Sequence, residues 1–305
     1  MRCRMLFSLI AAANVCAFPA LAQERPQELT GTLKKIKDTG AITLGHRESS
    51  VPFSYYDDRQ QVVGYAMDLC ARIVESVKTE LKLPKLETKL NPVTSSTRIP
   101  LMANGTVDLE CGSTTNNLDR QKQVSFTITH FVTANRFVSK KSANLQTVDD
   151  LRGKTIVSTS GTTNIKQITE IGAQKGLNLN ILAAKDHAEA FLMVETGRAA
   201  AFVMDDILLY SLVAAAKSPK DYVISADALS VEPYGIMLRR EDAPFKKVVD
   251  QAMIATYRSG AINAIYDKWF LKPIPPRGLT LDVPMSESFK KVIANPTDSG
   301  DPAVY

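Results

Sequence analysis

The sequence predicts an α/β protein of two similar lobes, each a mixed sheet flanked by helices, joined by two hinge strands around a cleft. Three observations lead to this prediction. Apolar strands alternate with amphipathic helices, the alternation restarts near the middle of the chain, and polar side chains follow the predicted strands. Such alternation is typical of layered α/β proteins with helices on both faces of each sheet.

The first half of the chain alternates helices and strands from residue 30 onward. A helix over TGTLKKIKDTG is closed by Gly40, and YAMDLCARIVESVKTEL carries apolar residues at helical spacing. The predicted order is helix 30–40, strand 41–45, helix 65–81, strand 86–93, helix 94–105 and strand 107–111.

The second half repeats the pattern. Its predicted order is strand 154–161, helix 163–176, strand 179–184, helix 186–199, strand 200–205, helix 206–218 and strand 221–226. Asp206 is the simplest N-cap for the last of these helices, which leaves Asp205 for another role.

Two extended segments, 135–141 and 232–240, are expected to join the lobes as hinges. Lobe 1 is then 23–134 plus 237–305, and lobe 2 is 135–236. The helix 243–260 and the segment 262–276 return to lobe 1, and a helix with a frayed tail follows residue 283. A single continuous domain is the alternative, and the restart of the pattern argues against it.

The N-terminus reads as a secretory signal peptide over residues 1–22. Arg2 and Arg4 precede an apolar stretch that ends at an A-x-A site before Gln23. A membrane anchor is disfavoured because the apolar run is short. A lipoprotein cut before Cys16 would place a bulky valine where a small residue is preferred. We therefore expect an exported, soluble, periplasmic protein.

Composition excludes several classes of function. The chain has 305 residues and a formal net charge of +5, and removing two signal-peptide arginines leaves +3, which is too weak to indicate nucleic-acid binding. No Cys/His spacing resembles a zinc site, and no cofactor is expected. Cys70 and Cys111 remain in the mature chain, where buried free thiols and a disulfide both stay open.

Polar side chains cluster at strand ends and helix starts. They are Arg47, Ser95, Arg98, Ser113, Thr115 and Arg120 in lobe 1, and Ser160, Thr162, Thr163, His187 and Asp205 in lobe 2. Each has an ordinary alternative. The hydroxyls can cap helices, His187 can be a solvated first-turn residue, and spacing alone favours a surface position for Arg98.

Together these residues offer charges that match one class of ligand. Ligands of open α/β sheets bind beyond the carboxyl ends of strands, so two facing lobes would create a shared cleft. Arginine binds carboxylate as a planar fork. Three arginines, one histidine and one free acid therefore suit an acidic amino acid, which carries two carboxylates and one ammonium.

The sequence resembles the periplasmic glutamate/aspartate-binding proteins of ABC transporters, which have the type II periplasmic binding protein fold. The resemblance spans about residues 30–276. It is carried by GHRESSVPFSYYD, VGYAMDLC, TSSTRIPLMANG, DLECGSTTNNLDRQKQVSFT, TSGTT, AKDH, ETGRAAAFVMDD, YGIMLRR and DKWFLKPIPP.

The resemblance implies a role for each matching position. Arg120, helped by Thr115 and Thr163, would bind the α-carboxylate. Asp205 with Ser113 would hold the α-ammonium. The side-chain carboxylate would be held by four residues, which are Arg47, Ser95, Arg98 and His187.

The implied mechanism is ligand capture by hinge closure, followed by delivery to an inner-membrane permease. The protein would act as a monomer, and His187 would take up a proton on binding. The rival interpretation is an exported dehydratase-type enzyme on the same fold, with Glu48 or Glu110 as general acid. Nothing in the sequence pairs these two glutamates. A receptor ectodomain is a third interpretation, disfavoured by the lack of a later apolar span.

Overall fold

The computed structural model describes residues 28–305, and the predicted signal peptide lies outside them. The described helices are α1 (Gly31–Thr39), α2 (Tyr65–Glu80), α3 (Arg98–Ala103), α4 (Leu118–Gln121), α5 (Thr163–Gln174), α6 (His187–Glu195), α7 (Asp206–Ala215), α8 (Ala243–Arg258), α9 (Ala261–Tyr266) and α10 (Glu287–Ala294). None of them is long and apolar enough to cross a membrane.

Strands make up three sheets. In chain order they are β1 (Ala41–His46), β2 (Ser49–Ser50), β3 (Ser54–Tyr56), β4 (Val62–Val63), β5 (Glu87–Pro92), β6 (Leu109–Cys111), β7 (Val124–Phe126), β8 (Phe131–Lys140), β9 (Thr155–Thr159), β10 (Asn180–Ala184), β11 (Ala201–Asp205), β12 (Tyr222–Ile224), β13 (Ser230–Tyr234) and β14 (Met237–Arg239). The helices and strands predicted from periodicity are confirmed within a few residues at each end.

The first large sheet has the order β5-β1-β6-β14-β7. Strand β1 runs parallel to β5 and β6, and β14 runs antiparallel to β6 and β7. The second has the order β10-β9-β11-β8-β12, with β13 also paired to β8. Here β9 is parallel to β10 and β11, whereas β8 is antiparallel to its neighbours. Each lobe therefore contains a mixed sheet.

Two adjacent chain segments pass between the sheets, at 127–130 and 235–236. The Thr127 N–H donates to Ile236 O at 2.9 Å, and the His130 N–H donates to Tyr234 O at 2.8 Å. Segment 235–236 lies within the expected hinge 232–240, whereas 127–130 precedes the expected hinge 135–141, which falls mostly within β8. The lobe boundaries remain a proposal that follows from this crossing.

An aromatic cluster fills the core of the first lobe beside the crossing segments. Phe53 packs edge-to-face on Tyr65 and Tyr234, and Phe131 stacks on Phe270 with ring centroids 5.0 Å apart. Such pairs add to the stabilisation from burying the rings. The base of the cleft is therefore attached to a rigid hydrophobic core.

A disulfide links Cys70 on α2 to Cys111 at the end of β6. From the sequence, buried free thiols were at least as strongly expected as a bridge, because the pattern of elements does not fix the distance between a helix and a strand. The bridge ties α2 to the strand that leads into the cleft.

The C-terminal tail is ordered by contacts, so the expectation of fraying is wrong. The Thr129 N–H donates to Thr297 O at 2.8 Å, and the hydroxyls of Thr129 and Tyr305 lie 2.7 Å apart. Asp298 forms an ion pair with Lys246 at 2.9 Å. The tail thereby packs over one of the crossing segments.

Candidate functional site

The cleft is built from the carboxyl ends of parallel strands in both large sheets. Arg47 follows β1, and Ser113 follows β6 after a single glycine. In the second lobe, β9 leads into the loop of Gly161, and β11 ends at Asp205. Polar side chains from two sheets therefore face one another, as open α/β sheets favour.

The two lobes touch across this cleft. Arg120 Nη2 of the first lobe donates to Gly161 O of the second at 3.3 Å, and Ser96 Oγ donates to Ser160 Oγ at 3.1 Å. Gly161 has a φ of +77°, and a Cβ added there would lie 2.7 Å from Ser95 O. Glycine is required at this position both by the backbone conformation and by the approach of the opposite lobe.

Three arginines are buried at the contact between the lobes. The exposed fractions are 2% for Arg47, 3% for Arg98 and 7% for Arg120. Spacing alone had favoured a surface position for Arg98, but α3 begins at this residue and directs its Nη1 to Ser113 O at 3.3 Å. Arg120 Nη1 donates to Thr115 O at 2.8 Å.

The arginines stay cationic although burial opposes their charge. Burial, followed by repulsion from Arg98, lowers the pKa of Arg47 to about 10 and that of Arg120 to about 9. Burial also lowers the pKa of Arg98. Values of 9 to 10 leave Arg47 and Arg120 protonated at neutral pH, so the cleft carries fixed positive charge.

Glu110 is a counter-charge that sequence reasoning considered only as an enzymatic acid. It is fully buried, and its Oε2 accepts from Thr114 Oγ1, which in turn accepts from Arg98 Nη1. Its charge favours the protonated forms of Arg47 and Arg98. Glu48, the other candidate acid, is exposed, so the two glutamates form no catalytic pair.

Several buried polar atoms in the cleft have no hydrogen-bond partner within residues 28–305. In the cleft these atoms are Arg47 Nη1, Ser95 Oγ, Arg98 Nε, Ser113 Oγ and His187 Nε2. Buried polar groups are almost always hydrogen-bonded. Two of these atoms belong to the guanidinium groups of Arg47 and Arg98. A set of hydrogen-bond donors without protein partners, two of them cationic, is suited to binding a carboxylate.

His187 is the first residue of α6 and is 2% exposed. Its Nδ1 lies 2.8 Å from Thr159 Oγ1, so a neutral ring that accepts there carries its hydrogen on Nε2. Burial, followed by the charges of Arg47 and Arg98, holds its pKa well below the usual range. These surroundings oppose the proton uptake expected from the sequence.

Asp205 occupies the N-cap position of α7, where the sequence favoured Asp206. It makes no side-chain cap. Its carboxylate instead accepts from Asn164 Nδ2 at 2.7 Å and from the hydroxyl of Tyr234. Burial, followed by the charge of Glu232, raises its pKa to about 7.

Thr163 is the first residue of α5 and is partly buried. Its Oγ1 donates to Glu232 Oε2 at 3.0 Å. Glu232 has an exposed fraction of 1% and was missed by the sequence analysis, which treated it only as part of a hinge segment. No spacing in EPYGIMLRR distinguishes a buried acid from a solvated one. Residues 28–305 contain no cluster of His, Cys, Asp and Glu able to hold a metal ion.

The two mixed-sheet lobes and their buried polar cleft define the class of two-lobe solute-binding proteins. The chain belongs to the family of bacterial extracellular solute-binding proteins, family 3, which matches residues 42–272.

Two curated relatives show how far the similarity extends. The L-glutamate/L-aspartate-binding protein of Pseudomonas aeruginosa is 54% identical over 97% of this chain and 98% of its own length. The glutamate/aspartate import solute-binding protein of Escherichia coli K12 is 44% identical over 98% of this chain and 99% of its own length. These relatives are solute-binding proteins and not enzymes.

Solved structures give the same fold. The arginine-binding protein of T. maritima, as its P235GK mutant, superposes with a TM-score of 0.69 at 26% identity, covering 78% of this chain and 98% of that one. A substrate-binding protein of an ABC uptake transporter from Streptococcus pneumoniae, with bound histidine, gives a TM-score of 0.71 at 20% identity, covering 80% and 98%. The type II periplasmic binding protein fold predicted from the sequence is confirmed.

Proposed function

We propose that this protein captures L-glutamate or L-aspartate in the periplasm and delivers it to an inner-membrane ABC permease. The names of its relatives in Pseudomonas and Escherichia support the ligand class. The family is extracellular, which supports export. The signal peptide over 1–22 and a monomeric state belong to the same proposal.

The observation that carries this proposal is the set of three buried guanidinium groups in one cleft. Arg98 lies close enough to Arg47 and to Arg120 to lower the pKa of each, and Arg120 reaches the loop of Gly161 in the other lobe. A dicarboxylic amino acid supplies two carboxylates to these cations, and we assign one to Arg120 and the other to Arg47 and Arg98. Its ammonium has Asp205 as the buried anionic partner.

In this proposal the α-carboxylate binds Arg120, with Thr115 and the start of α5 beside it. The unpaired N–H groups at a helix N-terminus favour an anion. Ser113 and Asp205 hold the ammonium. The side-chain carboxylate binds the orphaned donors, which belong to Arg47, Ser95, Arg98 and His187.

Closure of the lobes about the crossing segments completes these contacts and removes the ligand from water. A neutral side chain would leave a buried guanidinium without a counter-charge, which is costly. The cleft therefore selects acids over amides.

Calorimetric titration tests this proposal. The mature protein is unfolded and refolded to remove carried-over ligand, then titrated with L-glutamate, L-aspartate, L-glutamine and L-asparagine. We expect tight binding of the two acids and weak or absent binding of the amides. Tight binding of the amides, or no binding of any of the four, would refute it.

A further inference from the structure

Two carboxylates, Asp205 and Glu232, are buried close together in the second lobe. Their exposed fractions are 3% and 1%. Neither has a Lys, Arg or His nitrogen within 4.0 Å among residues 28–305. Buried charges are usually paired with an opposite charge, so two neighbouring carboxylates without a cationic partner require an explanation.

Strand register explains why the two acids are neighbours. Asn135 on β8 pairs with Asp205 on β11 and, on its other side, with Ser230 on β13. Glu232 lies two residues beyond Ser230, and side chains two residues apart on a strand share a face. The two carboxylates therefore lie on one face of the sheet, on either side of β8.

Three hydrogen bonds hold Glu232 in a fixed position. Its Oε1 accepts from Gln167 Nε2 at 2.7 Å and from Ser230 Oγ at 2.5 Å, and its Oε2 accepts from Thr163 Oγ1 at 3.0 Å. All three partners are neutral. They orient the carboxylate without cancelling its charge.

The bond from Thr163 determines what that hydroxyl can do. A hydroxyl has one hydrogen and two lone pairs, and here the hydrogen is used by Glu232. The hydroxyl can then accept from a donor but cannot donate to a carboxylate. Only the backbone N–H of Thr163, at the start of α5, remains to serve an anion.

We propose that Glu232 is a positioning residue for ammonium capture: it turns the Thr163 hydroxyl into an acceptor and places a second negative charge beside Asp205. This inference rests on the proposed function, because it needs a ligand with an α-ammonium. It also revises the role of Thr163, whose side chain was expected to help bind the α-carboxylate.

The charge of Glu232 also links ammonium binding to pH. Asp205 is faced by Glu232 and Tyr234 from β13, Asn164 from α5, and Asp206 from α7, and it interacts with Arg98 and Arg120 across the cleft. Burial and then Glu232 raise the pKa of Asp205 to about 7. A protonated Asp205 must lose its proton to pair with ammonium, so affinity for L-glutamate falls below pH 7.

The test is calorimetric titration of L-glutamate into wild type, Glu232→Gln and Glu170→Gln at pH 8 and pH 6. Glu170 is exposed on the same helix as Thr163 and serves as the matched control. We expect Glu232→Gln to bind at least about tenfold more weakly at pH 8. We also expect it to lose less affinity between pH 8 and pH 6 than wild type, because the pKa of Asp205 falls.

Two results would overturn the proposal. One is affinity of Glu232→Gln within about threefold of the control. The other is weaker binding with a pH dependence parallel to that of wild type, which would indicate a purely structural role. Failure of wild type itself to bind L-glutamate would instead reject the proposed function.

A second pair of variants keeps the inference testable if Glu232→Gln does not fold. Thr163→Val removes the hydroxyl that Glu232 orients, and Thr163→Ser keeps it. We expect Thr163→Val to bind L-glutamate at least about tenfold more weakly than Thr163→Ser. Equal affinities of these two variants would overturn the proposal.

Discussion

Arg120 of the first lobe donates to the backbone oxygen of Gly161 in the second lobe at 3.3 Å. The same guanidinium donates to Thr115 O within its own lobe at 2.8 Å. One side chain therefore joins the two halves of the cleft at the point where the start of α5 approaches it. In the proposed binding mode, where Arg120 binds the α-carboxylate, this geometry would couple ligand binding to contact between the lobes.

The first prediction concerns that coupling. Arg120→Lys keeps the charge but loses the planar fork, so one ammonium cannot reproduce both bonds and bind a carboxylate. We expect affinity for L-glutamate and L-aspartate to fall equally, on the order of 100-fold. Isothermal titration calorimetry measures both affinities. Arg240 is exposed, and Arg240→Lys serves as the control. Unequal losses would argue against a shared α-carboxylate partner.

His187 provides the second prediction. Its pKa lies well below the usual range because of burial and the nearby charges of Arg47 and Arg98. We expect the imidazole to stay neutral in the L-glutamate complex between pH 6 and pH 8, with its hydrogen on Nε2. Nitrogen-15 NMR of the ring reports the tautomer directly. A titration midpoint above 6.5 would restore the original expectation of proton uptake.

His130 gives a prediction about stability. It is fully buried in the aromatic cluster, and burial lowers its pKa to about 3. In the unfolded chain this histidine has its ordinary pKa of ~6.5, so it binds a proton at a higher pH than in the folded state. Folding stability therefore falls as pH drops from ~6.5 toward 3. The loss between pH 7 and pH 4 should be about 3 kcal/mol.

His130→Phe removes this titration and retains an aromatic ring in the cluster. Denaturant unfolding of wild type and variant at pH 7, 5.5 and 4 gives the two pH dependences. We expect the variant to lose less stability on acidification, by the same ~3 kcal/mol. If the stabilities of wild type and variant depended on pH in the same way, His130 would not be a buried neutral residue.

The disulfide leads to a fourth prediction. The bridge closes a loop with a sequence separation of 41 residues, for which chain-entropy arguments give about 4 kcal/mol of stabilisation. Replacing Cys70 and Cys111 together by alanine should lower the free energy of unfolding by about this amount. Reductant should destabilise wild type and leave the variant unchanged. Two free thiols in native wild type, found by mass spectrometry, would contradict the bridge.

Much of the fold follows from local pattern. Apolar spacing predicts helix α2 and strands β1 and β11. Gly40 ends α1 in the left-handed conformation and donates its N–H to Ile36 O. The small sheet of β2, β3 and β4 was not predicted, because its short strands carry no clear alternation. Local periodicity indicates an element only when the element is long enough to repeat.

The site was harder to predict than the fold because burial is a tertiary property. Arg98 has the spacing of a surface residue, yet the neighbouring strand end provides Ser113 O as its partner. Glu232 acquires its importance from Asp205, which lies 27 positions earlier and two strands away. The family resemblance implied the roles of the ligand-binding residues. The second buried acid, Glu232, became apparent only from the register of the strands.

The central claim is that separate cationic groups bind the two carboxylates of the ligand. Arg47→Ala tests it most directly, because Arg47 Nη1 is an orphaned donor at the end assigned to the side-chain carboxylate. The measurement is the affinity of wild type and variant for L-glutamate and L-glutamine by isothermal titration. We expect L-glutamate to weaken about 100-fold and L-glutamine far less. Equal losses for both ligands would contradict the account.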